Sequence, residues 1–491
     1  MKQLACSLTA SFTLSLALAA QADVRLPALF SDNMVLQQGA RVPIWGWADD
    51  GEEVSVTFHG HTVKTKAKDG KWMLEFKGLK PGGPEALVVQ GKNRLEVKDV
   101  LVGEVWICSG QSNMELPLKQ SFESGADIAN SANPHLRLFH VPKTKAEAPR
   151  DDVKAQWNEA NSNSTPGFSA VAYYFGRDLQ KARNVPVGLI ETDWGGSPAE
   201  VWMSERALVA NPEYKRDILD AYAAAVEKSS EPNKKGQRPN WKPDELYNGM
   251  IAPLLPYAIK GAIWYQGESN AGRAQQYRTL FADMIRNWRQ DWGQGDFTFL
   301  AVQLAPWDKG KKRTLEVITE KPVESDWAEL REAQLLATKT LPKVGIAVIT
   351  DVGDKDDIHP KKKAPAGARL ALAARGIAYR ESIEYSGPVY KSMKVKGDKV
   401  TLSFDHAASG LEARDGDLKG FAICGSDKKF VWAKAEIQGD KVVVSSPEVP
   451  EPVAVRFGWA DFPVVNLWNK AGLPATPFRT DDFPMVTAAK K

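Results

Sequence analysis

Two textures of hydrophobic and polar positions divide the chain. From about residue 25 to 100, short runs rich in Val, Trp and Phe ("VPIWGW", "EEVSVTF", "KWMLEF", "ALVVQ") are separated by Asp-Gly, Pro-Gly-Gly and Gly-Lys-Asn turns. That is the mark of short strands joined by tight turns, and it predicts a small β-sandwich over 23–100. The texture returns after 384 with "SMKVKGDKVTLSF", "FVWAKAEIQGDKVVVSS" and "VAVRFGW". Two Gly-Asp-Lys turns between alternating runs predict hairpins, so 384–491 is expected to be β-rich. Between these regions, over 101–383, strand-like and helix-like patterns alternate. Strands are predicted at 102–107, 186–192, 259–265, 297–304 and 344–350, and helices at 170–183, 274–292, 327–340 and 365–380. In the second helix Tyr277, Phe281, Met284, Ile285 and Trp288 recur at helical spacing, a core stripe. Such alternation predicts a parallel sheet covered by helices on both faces, with the ligand crevice beyond the carboxyl ends of its strands.

Totals narrow the picture. The chain has 491 residues, 43% of them hydrophobic, enough for two to four domains with packed cores. Its 64 basic and 61 acidic side chains are well mixed and net to +3, which speaks against a nucleic-acid footprint. The basic triplet Lys361-Lys362-Lys363 reads as a solvated loop or helix start rather than a phosphate site. Residues 1–22 read as a secretory signal: Lys2 at the start, an apolar heart at 14–20, and Ala20-Gln21-Ala22 as the cleavage pattern. No later segment is long and apolar enough for a membrane helix, so an exported protein, periplasmic or secreted and free of the membrane after signal removal, is expected. Cys108 and Cys424 remain; a bridge is permitted in an oxidising compartment, and two buried thiols is the preferred reading. A lysine- and proline-rich stretch at 229–243 reads as an exposed loop.

Chemistry gathers in the loops at the ends of these strands: Ser109-Gly110-Gln111-Ser112-Asn113, Asp193-Trp194-Gly195-Gly196-Ser197, Gln266-Gly267-Glu268-Ser269-Asn270, and the acidic run Asp351 to His359. All four loops should open on one edge of the sheet. Ester cleavage needs a nucleophile, a base and donors for the oxyanion. A serine hydroxyl needs a base to take its proton, and imidazole suits the task. Among six histidines only His359 lies in a loop beyond a central strand of the alternating region. Asp356, three residues earlier, is the chosen carboxylate to orient it, with Asp357, Asp354 or a backbone carbonyl as alternatives. The N–H of Ser112, the N–H of Gly196 and the Gln266 amide are candidate oxyanion donors, each worth roughly 10²–10³-fold in rate when preorganised. Glu268 is a candidate for orienting its loop. The acidic loop lacks the D-x-[DN]-x-[DN]-G calcium pattern, and no Cys/His cluster suggests zinc, so no metal is expected.

These loops resemble the sialate O-acetylesterase family of the SGNH (GDSL-like) hydrolases. The resemblance is carried by "GEVWICSGQSNMELPL" at 103–118, "WGGSPAEVWM" at 194–203, "WYQGESNA" at 264–271, and "IHP" at 358–360 followed by "GARLALAAR". It implies an α/β fold of SGNH type, a three-layer sandwich with a parallel sheet, here with β-rich N-terminal and C-terminal regions. It implies deacetylation of carbohydrate with no cofactor, Ser112 as nucleophile, His359 as base and Gly196, or Gly195, at the oxyanion. Gln266 is assigned to the role of the superfamily's asparagine, without a literal match to its G-x-N-D wording. Similar proteins act on acetylated plant polysaccharides such as xylan or xyloglucan fragments, so the sugar is left open between sialic acid and hemicellulose. Of the 16 tryptophans, Trp194, Trp202 and Trp307 follow strands at the active edge and are candidates for stacking on sugar, and Arg331 is a candidate for a sugar carboxylate. The competing classes are a non-catalytic carbohydrate-binding protein around an inactive core and an SGNH lipase or thioesterase. The intact Ser112, Gly196, Gln266 and His359 argue against the first, and the lack of a long apolar channel against the second.

Overall fold

The computed structural model describes residues 23–230 and 239–488. The expected signal segment lies outside the described residues, as does the 231–238 portion of the expected loop. Among the described residues no helix is long and apolar enough to cross a membrane.

One strand organises the molecule. Arg94–Gly110 alternates exposed and buried positions over its first half and is buried without interruption over its second. The sequence carries the same change, from "RLEVKDV" to "LVGEVWICSG": one-sided burial reads as alternation, two-sided burial as a continuous apolar run. The first half pairs antiparallel with Gly82–Gln90, and Val35–Gln37 runs parallel alongside residues 101–103. The second half is a middle strand of the main sheet. The boundary expected between 100 and 101 therefore falls inside a single strand.

The main sheet runs in the order Val344–Ala347, Thr298–Val302, Gly261–Tyr265, Arg94–Gly110, Val187–Asp193, Asn133–His140, Trp157–Ala160. All these pairings are parallel except the last. From its middle strand the chain first fills one side of the sheet and then the other, which leaves a crevice where Arg94–Gly110 meets Gly261–Tyr265. Helices Ala170–Arg183 and Ala364–Ile377 pack on one face with Trp106 and Cys108; Ala274–Trp292 and Asp326–Thr340 pack on the other, the side that receives Val105 and Ile107. This is the expected three-layer α/β sandwich. Cys108 and Cys424 are both buried free thiols.

The flanking β-regions are as patterned. Lys71–Lys77 alternates strictly, placing Trp72, Leu74 and Phe76 inside, and pairs with Arg41–Trp47. At the other end Val389–Lys396, Lys399–Asp405, Lys441–Ser445 and Lys434–Gln438 form a four-stranded antiparallel sheet. The C-terminal region is tied to the α/β core by Arg331. Its guanidinium is fully buried and donates to the carbonyls of Leu304 (2.7 Å), Ala460 (2.7 Å), Asp461 (2.9 Å) and Ala305 (3.2 Å). The expected meeting with a sugar carboxylate is therefore corrected: all three nitrogens of the fully buried fork donate to backbone carbonyls. Replacing Arg331 with Met strands several buried carbonyls, each costing about 1–3 kcal/mol. The expected outcome is a clear fall in the denaturation midpoint with KM for a small acetyl ester unchanged.

Candidate active site

The crevice between the two middle strands closes because residue 110 is glycine. Its φ is +146°, and a Cβ there would lie 2.2 Å from the carbonyl oxygen of Tyr265. Gln111 follows; its N–H donates to that same carbonyl (3.0 Å), and its side-chain oxygen accepts from the N–H of Ser269 (3.2 Å). The strand end and the 266–270 turn are thus stapled before the chain enters the short helix Ser112–Glu115. Ser112 opens that helix, so its N–H has no intrahelical acceptor.

His359 arrives from the far edge of the sheet. Asp354 shapes its loop by accepting from the N–H groups of Asp356 (2.9 Å) and Asp357 (3.2 Å). The result brings His359 Nε2 to 2.8 Å from Ser112 Oγ across 247 residues of chain. The expected orienting carboxylate is corrected. Asp356 is exposed and bound by the ammonium of its neighbour Lys355 at 2.6 Å. Asp357, one of the alternatives, has Oδ1 3.6 Å from His359 Nδ1 and accepts the His359 backbone N–H at 2.8 Å. Two residues in an extended turn bring these groups together; the helical spacing assumed for Asp356 does not form. Partial burial lowers the pKa of His359, opposed by Asp357 and reinforced by Lys363 and Lys361. The imidazole therefore rests neutral, the form that accepts a proton from serine.

Beside Ser112 lies the turn after Val187–Asp193. Gly195 is pressed against it: a Cβ on Gly195 would stand 3.3 Å from Ser112 Cβ. The Gly195 N–H is taken by Glu115 Oε2 (2.5 Å), whose other oxygen holds Lys143 Nζ (2.5 Å). Gly196 differs. It sits at φ +74° with open space above it, and among the described residues its N–H, like that of Ser112, has no hydrogen-bond acceptor. Both donors are free for an oxyanion. Gln266 is not, and this expectation is corrected. Its side chain is fully buried, and its NH₂ is committed to Asn270 Oδ1 (2.6 Å) and Ser197 O (3.3 Å), while Tyr277 donates to its oxygen (2.8 Å). It braces the Gly196 turn from below. The reason is the Asn270 side chain: it also receives the N–H of Ala199 and donates to Glu200, so the third loop grips the second and turns the glutamine inward.

The tryptophans separate in the same way. Trp202 is fully buried, its indole N–H on Ser197 Oγ (2.9 Å) and its ring 6.1 Å from Trp264; it is core, which corrects its assignment to sugar. Trp307 packs on Trp327 at 5.3 Å, against the C-terminal region. Trp194 is half-buried directly before the paired glycines and meets the half-buried Trp241 edge to face at 5.5 Å, with Lys145 Nζ 4.4 Å over the Trp241 ring. Sequence reasoning missed Trp241, Glu115, Asn113 and Lys363. Asn113 stood within the quoted "GQSN" and Lys363 within the basic triplet; what neither showed was burial, complete for Asn113 and nearly so for Lys363. Asn113 donates to Glu268 Oε1 (2.6 Å) and to the carbonyl of Ile358 (3.0 Å), and burial raises the pKa of Glu268. Among the described residues no group of three or more His, Cys, Asp or Glu is placed to hold a metal ion.

Comparison with known proteins gives this geometry a family. The model of the family described as carbohydrate esterase, sialic acid-specific acetylesterase, matches residues 102–374. Sialate O-acetylesterases of Homo sapiens and Pongo abelii are each 31% identical over 500 residues, covering 92% of this chain and 92% of theirs. The crystal structure of a novel carbohydrate acetylesterase from Xanthomonas citri shares 40% identity and a TM-score of 0.83, covering 94% of this chain and 100% of that one. The protein is thus a hydrolase of the carbohydrate esterase class. It belongs to the sialic acid-specific acetylesterase family.

The two carboxylates beside His359 make a clean comparison. Asp357→Asn is expected to lower kcat on 4-nitrophenyl acetate by about 10–10²-fold, at or below the lower end of general-base effects because Asp357 orients the base rather than being it, while Asp356→Asn stays within about twofold of wild type, as an exposed side chain off the site should. Steady-state kinetics of the two variants decides the assignment.

Proposed function

We propose that the protein removes O-acetyl groups from carbohydrate by a serine acyl-transfer mechanism. The observation that carries it is the 2.8 Å contact of Ser112 Oγ with His359 Nε2, beside two unengaged N–H donors. Ser112 Oγ attacks the acetyl carbonyl as His359 Nε2 takes its proton. The N–H groups of Ser112 and Gly196 hold the oxyanion of the tetrahedral intermediate. As this collapses, the bond from the carbonyl carbon to the sugar oxygen breaks. His359 returns the proton to that oxygen, leaving an acetyl ester on Ser112. Water then loses a proton to His359 and attacks this ester; acetate leaves and the proton goes back to Ser112. Asp357 steadies the imidazolium formed in each half.

Trp194 and Trp241 form an aromatic corner next to the glycines, suited to packing against the apolar face of a sugar ring. Sialate O-acetylesterases are named among the relatives, and a carbohydrate acetylesterase among the solved structures. The sugar here is proposed to be one of two kinds, an acetylated sialoside or an acetylated plant hemicellulose, and acetate release from a panel of both decides between them.

Ser112→Ala and His359→Ala should each reduce kcat/KM by about 10³-fold or more; equal rates for wild type and either variant would remove the reading. The acid limb of kcat/KM should fall below the ordinary histidine range, because the base must be neutral and its environment favours that form. Activity is present above the lowered pKa and lost as pH falls through it. Trp241→Ala should raise KM for an acetylated oligosaccharide by about tenfold, a loss of roughly 1.4 kcal/mol of stacking, and leave 4-nitrophenyl acetate kinetics unchanged.

A further inference from the structure

Directly behind the serine–histidine contact the buried Lys363 and the half-buried Glu268 are joined through an amide. Lys363 begins the helix Ala364–Ile377 as its N-cap residue, yet its side chain is 1% exposed. Its Nζ donates to Asn113 Oδ1 at 2.5 Å and stands 5.0 Å from the ring centre of Tyr265. The other end of the same amide donates to Glu268 Oε1 (2.6 Å) and to the carbonyl of Ile358 (3.0 Å). The amide oxygen thus faces the cation and the amide nitrogen faces the carboxylate, so both orientation and rotamer of Asn113 are set by the field. Both hydrogens of the Asn113 amide and its oxygen are engaged.

The position matters because of what the amide holds. Asn113 follows Ser112, and Ile358 precedes His359. One side chain therefore ties the backbone of the histidine loop to the turn that bears the serine.

We propose that Lys363 is a positioning residue for the reaction: through Asn113 it locks the His359 loop onto the Ser112 turn, and its buried positive charge keeps the imidazole free to act as a base. This rests on the esterase reading. The charged groups facing His359 are Asp357 and Lys361 from its own loop, Lys363 from the start of the following helix and Glu115 from the serine helix. Lys363 and Lys361 disfavour the imidazolium; Asp357 and Glu115 favour it. Burial pulls the ammonium of Lys363 down to about 7, so it is charged across the acid range in which His359 titrates.

The test uses Lys363→Met, Lys363→Gln, Asn113→Ala and the Asn113→Ala/Lys363→Met double variant, assayed on 4-nitrophenyl acetate. Lys363→Met is expected to lower kcat by about 10²-fold, the usual consequence of a misplaced reacting group. KM should stay within about twofold, and the acid limb of kcat/KM should move to higher pH as the imidazolium loses an opposing charge. Lys363→Gln keeps a donor toward Asn113 without the charge. It should recover part of kcat while leaving the acid limb displaced, and it carries the test if Met at this site prevents folding. The double variant should be no slower than Asn113→Ala alone, because the lysine's positioning effect is relayed by that amide. Wild-type kcat with an unmoved acid limb in both Lys363 variants, or fully additive losses in the double variant, would overturn the proposal. Ser112→Ala run alongside separates the two ideas. Serine-dependent turnover with unaffected Lys363 variants removes only the positioning role, whereas turnover independent of Ser112 removes the esterase reading itself.

Discussion

A single hydrogen bond of 2.8 Å, from Ser112 to His359, closes a gap of 247 residues, and most of the α/β region is arranged to hold its two ends. Neither end is held by the bond itself. The serine is held because Gly110 lets two strand ends approach to backbone contact and Gln111 staples the next turn. The histidine is held because Asp354 shapes its loop and Asn113 binds the carbonyl before it. A parallel sheet makes this economical. Its strands all end on one edge, so four loops distant in sequence are neighbours before any side chain acts.

The ionisable groups around that bond follow a pattern. Glu115 is neutralised by Lys143, Asp357 stands between His359 and Lys361, and the half-buried Glu268 and buried Lys363 meet through an amide. Positive and negative groups alternate around Ser112, and the free N–H groups of Ser112 and Gly196 are left as uncompensated positive dipoles. The nearest carboxylate on that side, Glu115, is held by the N–H of Gly195 and the ammonium of Lys143. The same loops brace one another beneath the surface. Gln266, Asn270 and Trp202 look like site residues in sequence because they stand in the motifs, and they act by fixing the turn of Gly196 from the core.

Much of the fold is legible from patterning. The helices 170–183 and 274–292 form over the predicted residues, and the strands agree to within a few positions except where Arg94–Gly110 runs on into the N-terminal region. That extension reads in the letters as alternation giving way to a continuous apolar run, a change of environment that resembles a domain boundary. The loops were legible as a set because glycine and polar residues come after every middle strand. Their internal assignments were less so. Asp356 against Asp357 depends on whether the turn is helical, and Gln266 depends on which way an amide points. Trp241 sits far from any strand end, and no local signal brings it to Trp194.

Alternation of apolar runs, the placing of glycine at 110 and 196, and the one histidine beyond a strand of the α/β region are properties of the chain itself, and they determine the layered architecture and the chemistry available at its edge. Which carboxylate faces the imidazole, which donors stay free, and that Lys363 is drawn inside while Lys361 and Lys362 stay at the surface were decided only when the loops packed. The physical reason is range. Periodicity and turn geometry act within a few residues, whereas burial, hydrogen-bond partnering and the field at a buried charge are set by groups hundreds of residues away.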